Sequence, residues 1–112
     1  FMTWAYSDKP KMTIQLANAF RKLGNKLDIM VIPIGLAFEQ AKETIPEVVL
    51  HNEDRIHPSL EGTYLAAAVF YAALYDKSPA ELDYHAGLDK TLARQLREAA
   101  WITVQGYYPS DK

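Results

Sequence analysis

The chain has 112 residues, 49% of them hydrophobic, and a formal charge of −2, so it is long enough for one domain and too short for two ordinary ones. A pI near 5.9 with no Lys/Arg cluster argues against nucleic acid as a principal partner. The absence of cysteine removes disulfides, thiolate catalysis and cysteine-ligated zinc. The longest apolar run, residues 63–75, falls short of the about 20 residues that a membrane-crossing helix needs, so no membrane span is expected. No basic stretch followed by an apolar one opens the chain, and the compartment stays open, an extracellular or periplasmic one included.

Residues 1–5 (FMTWA) read as a short strand, which suggests a chain that begins in the middle of a fold. Ser7, Asp8 and Pro10 supply turn residues, after which Met12, Leu16, Phe20 and Leu23 recur at helical spacing, with Gly24-Asn25 as the carboxyl cap. The run LDIMVI at residues 27–32 is almost wholly apolar and partly β-branched. It predicts a buried, parallel strand closed by Pro33. A short helix over residues 36–44 stops before Pro46, and residues 48–50 form a brief extended segment. A polar loop, residues 51–59, then leads into a helix that is apolar nearly all round, with Pro58 in its first turn. Beyond a second loop, Asp89 caps a last helix with Leu92, Leu96, Ala99 and Thr103 on one face, ending near Gly106. Two strands with a helix between them predict α/β architecture with a parallel sheet, incomplete at its edges.

The loop carries the chemistry. A carboxylate three residues before a histidine can turn back and accept a hydrogen bond from the imidazole Nδ1, leaving Nε2 to take a proton; here Asp54 orients and His57 is the base. Helix capping by Asp54 or Ser59, with His57 an ordinary surface residue, accounts for the same residues without chemistry. His51, Glu53, Asp54 and His57 follow no recognised zinc spacing, so neither a metal nor a cofactor is expected. Trp4 and Tyr6, at the end of the first predicted strand, are placed to line a substrate cleft. Core or turn roles suit them equally.

The string DRIHPSLEGTYLAAAVFY, residues 54–71, resembles the last conserved block of the SGNH (GDSL-like) serine hydrolases. FMTWAY, VIPIGLAF and LARQLREAAW extend the resemblance over most of the chain. It implies the second half of a flavodoxin-like three-layer α/β/α fold, with residues 1–112 as the carboxyl-terminal part of one hydrolase domain. It also implies ester hydrolysis through an acyl-enzyme on small or carbohydrate esters, with His57 as general base and Asp54 holding its tautomer. The family's Gly-Asp-Ser nucleophile block and its Gly-x-Asn-Asp block do not occur, and Ser7, Ser59, Ser78 and Ser110 sit in no comparable setting. The chain alone is therefore expected to be inactive and to self-associate through an exposed sheet edge. The alternative is a non-catalytic α/β module for interaction or packing.

Overall fold

The computed structural model describes residues 1–108, and Ser110 falls outside them. Four helices, α1 (Met12–Leu27), α2 (Ile34–Thr44), α3 (Leu60–Tyr75) and α4 (Lys90–Tyr107), are joined by irregular segments, with a single 3-10 turn at Pro79–Glu81. No strand forms among the described residues; the one β feature is an isolated antiparallel bridge between His51 and Pro58. The predicted parallel sheet is thus replaced by a helical assembly, and the reason is visible in the segment LDIMVI. Leu27 closes α1, Asp28 takes a left-handed backbone (φ 54°) as its cap, and Ile29 and Met30 are more than half exposed. Apolar β-branched residues favour a strand only where a neighbouring strand supplies hydrogen bonds and a covering layer. Here residues 1–5 offer residues 32–35 only two such bonds, Met2 N–H to Ile32 O and Gly35 N–H to Met2 O.

The helices follow their sequence signals more closely. Gly24 does not end α1, because it is buried at a close approach of the following segment: a Cβ there would lie 2.7 Å from the Val31 side chain. Ser59 caps α3, its hydroxyl accepting from Gly62 N–H at 3.1 Å, so α3 starts at Leu60 and Pro58 precedes it. Asp89 caps α4 through Leu92 N–H at 3.0 Å. Both caps satisfy amides that have no partner within the helix.

Helices α3 and α4 pack most extensively, α2 lies against both, and α1 packs mainly on α2, reaching α4 through the Arg21 guanidinium 4.5 Å from the centre of the Tyr107 ring. Ala68, Ala72 and Ala73 on α3 and Ala93, Ala99 and Ala100 on α4 are buried, and such small side chains allow the helices to approach closely. The narrowest dimension, 19 Å, is about two helix diameters of roughly 10 Å each. Phe38, Ile34, Ile45, Leu65, Val69 and Leu96 fill the centre. At Gly62 a Cβ would stand 2.3 Å from Leu50 O, so the first turn of α3 passes directly over the segment that enters the polar loop. That contact fixes the loop to the core.

Candidate functional site

The loop of residues 51–59 leaves the core at Leu50 and returns at Ser59, whose N–H bonds Leu50 O at 2.9 Å. Inside it, Asn52 N–H bonds His57 O at 2.8 Å and Arg55 N–H bonds Asn52 O at 2.9 Å, which closes a tight turn. Arg55 at its tip takes a left-handed backbone (φ 65°). The turn brings the Asp54 carboxylate back over the following residues. One oxygen, Oδ1, accepts the backbone N–H groups of Ile56 (2.9 Å) and His57 (3.0 Å), and Oδ2 meets His57 Nδ1 at 2.5 Å.

This arrangement sets the electrostatics of the pair. The hydrogen bond from His57, followed by the two backbone N–H groups, lowers the Asp54 pKa from 3.8 to about 2. Asp54 is therefore an anion at neutral pH, and the anion fixes the proton of a neutral imidazole on Nδ1. His57 Nε2 makes no hydrogen bond to any described residue, and the side chain is 72% exposed. The loop thus presents an oriented imidazole, with its free nitrogen turned to an outside group.

The amino-terminal segment clamps the loop. Trp4 Nε1 donates to Ile56 O at 2.8 Å, and Ser7 N–H donates to Arg55 O at 2.9 Å. Trp4 also lies flat between two rings, 5.3 Å from Phe38 and 6.2 Å from Phe1. Tyr6 is at the surface with the Lys9 ammonium 5.8 Å from its ring centre. Trp4 is thus brought to the Asp54–His57 loop as a support.

Sequence reasoning did not single out His51 as an anchor, yet it is buried. Its Nε2 lies 2.8 Å from Ala5 O and its ring meets Phe38 edge to face at 5.6 Å. A carbonyl partner requires the proton on Nε2, so His51 and His57 hold opposite tautomers. Neither spacing nor periodicity carries that difference, because both histidines sit in one polar run. No group of three or more His, Cys, Asp or Glu side chains among the described residues is placed to hold a metal ion.

The hydrolase expectation fails against these findings. Among the described residues the α/β scaffold on which SGNH enzymes mount their residues is replaced by helices, and no catalytic triad is assembled. Ser59 Oγ donates to Val49 O at 2.7 Å and caps α3, and Ser78 Oγ caps the 3-10 turn, so both are committed to structure. No serine hydroxyl is hydrogen-bonded to His57 Nε2 among the described residues. Neither Asp54 nor His57 lines the best-formed surface clefts among the described residues, which have volumes of about 230 to 450 Å³. With no sheet among the described residues, there is no sheet edge through which to self-associate. Comparison with protein-family models, with curated proteins and with solved structures finds no match. The chain is a helical assembly that displays an Asp-oriented histidine on a clamped loop.

Proposed function

We propose that this chain is a non-catalytic helical interaction module that docks a partner protein on the surface around Asp54 and His57. The observation that carries this reading is the exposed imidazole, held at 2.5 Å by Asp54 with Nε2 free, on a loop fixed at both ends. A recognition group is most useful when its orientation is set before binding, because less freedom is lost on association. Phe1, Tyr6, Ile56 and Leu60 are exposed on the same loop and its clamp, and aromatic groups next to a specific polar contact suit a protein interface. Neutral His57 Nε2 would accept a hydrogen bond from such a partner, with Asp54 keeping the ring in place.

The test places a photocrosslinking side chain at position 6 or 56 of the full chain, with position 22 on the outer face of α1 as control. The captured protein is then purified and its affinity measured for the unmodified chain and for His57→Ala. Capture is expected from positions 6 and 56 only, with His57→Ala weakening binding about tenfold or more. Equal capture from position 22, or affinity unchanged in His57→Ala, overturns the reading.

A further inference from the structure

Arg97 on α4 is buried, with 7% of its surface exposed, yet its guanidinium has no carboxylate within 4 Å among the described residues. Its hydrogen bonds go to uncharged oxygens: Nη1 donates to the Tyr64 hydroxyl at 2.8 Å and to Tyr84 O at 3.3 Å, and Nη2 donates to Ala80 O at 3.5 Å. The buried Nε makes no hydrogen bond among the described residues. A buried cation without a counter-charge is costly, and folded chains normally place an anion close to it.

Arg97 forms part of the wall of an open cleft of about 230 Å³, between residues 82–85 and the start of α4. Lys90, Thr91, Arg94 and His85 share that wall, and Asp83 is the one carboxylate on it. Three fixed cations thus face one anion, and none of the three forms an ion pair within 4 Å among the described residues. The amino-terminal end of the 18-residue α4 is already capped by the Asp89 carboxylate, which accepts from Leu92 N–H at 3.0 Å, so the side-chain cations rather than the helix end carry the attraction for an anion. Pockets for drug-sized ligands run from about 300 Å³ upward, so this cleft suits a small anionic group better than an extended molecule.

We propose that this cleft binds the phosphoryl group of a small phosphorylated compound, which supplies the counter-charge that Arg97 lacks. Lys90 and Arg94 reach the anion from the rim, Thr91 offers a hydroxyl, and Arg97 acts from beneath through its field. Three cations against Asp83 leave the wall with a net positive charge, which attracts a dianion about twice as strongly as a monoanion, so phosphate is favoured over a carboxylate. The site shares no residue with the Asp54–His57 loop and is independent of the function proposed there.

The probe is inorganic phosphate, added to the full chain and followed by amide chemical shifts at neutral pH, with chloride at matched ionic strength and acetate as separate arms. Phosphate is expected to produce saturable shifts confined to residues 82–97, with a Kd on the order of 1 mM, and acetate should bind at least several-fold more weakly. Arg94→Gln and Lys90→Gln, both at exposed positions, should each weaken phosphate about threefold to tenfold, whereas Lys26→Gln on α1 should change nothing. Shifts that chloride reproduces, that do not saturate, or that survive Arg94→Gln and Lys90→Gln unchanged overturn the proposal. Acetate binding as tightly as phosphate overturns the phosphoryl assignment.

Discussion

The Asp54 carboxylate ties proton chemistry to local structure, because the charge that orients His57 also holds the loop turn. Its pKa in the folded chain, about 2, is below the 3.8 of the free side chain, so the ionised form is favoured by folding. That contribution is fully present above the unfolded value and is lost as the pH falls through the folded one. The amide resonances of Ile56 and His57 should therefore shift together between about pH 4 and pH 2, while amides of α3 stay in place. Asp54→Asn should remove this acid transition; an identical transition in Asp54→Asn would assign it to another group. Asparagine can still accept the two backbone N–H groups through Oδ1, so the turn itself should persist. This pairing was legible in the sequence because three residues of polar loop are enough for the side chain to fold back. Arg97 and His51 were not legible, since what distinguishes each is burial against distant residues, Tyr64 and Tyr84 for one and Ala5 and Phe38 for the other.

Among the helices, side-chain caps mark the starts of α3 and α4, but the sequence reading puts Pro58 inside the first turn of α3, which it precedes, and misreads the segments between helices. Ser59 and Asp89 announce α3 and α4 because a side-chain cap is a local device, whereas a strand depends on a partner elsewhere in the chain. Helix α1 lies between these cases. Its apolar residues recur at helical spacing, but it has no side-chain cap, and its only buried residues are Thr13 and Gly24. Ile14, Leu23 and Leu27 remain exposed, and the helix is tied to α2 in part by the hydrogen bond from Thr13 Oγ1 to Glu39 at 2.8 Å. A helix that buries little apolar surface opens at little cost. Amide hydrogen exchange should thus release α1 first, with protection at least about tenfold lower than in α3. Equal protection in the two helices would show that α1 is held by more than the contacts described here.

Across the whole molecule, the core and the loop meet at Phe38. This ring, 2% exposed, stacks on Trp4, receives His51 edge to face at 5.6 Å, and lies where a Cβ on Gly62 would come within 3.2 Å of it. Trp4 in turn holds Ile56 O, so the order of the exposed pair depends on a side chain in the centre of the helical core. Truncation to Phe38→Ala removes the ring and leaves a cavity, which costs about 3–5 kcal/mol in a well-packed interior. Domains of this size have about 5–15 kcal/mol of stability in total, so the variant should be markedly less stable to urea. Phe38→Leu keeps most of the volume and should cost less, while losing the flat surface on which Trp4 rests. In that variant the helices should remain, and the amide protection of Ile56 and His57 should fall out of proportion to the loss of global stability. If Phe38→Leu lowers loop and core protection equally, the stack from Phe38 through Trp4 does not separately support the Asp54–His57 loop. The coupling would then be a property of global unfolding alone.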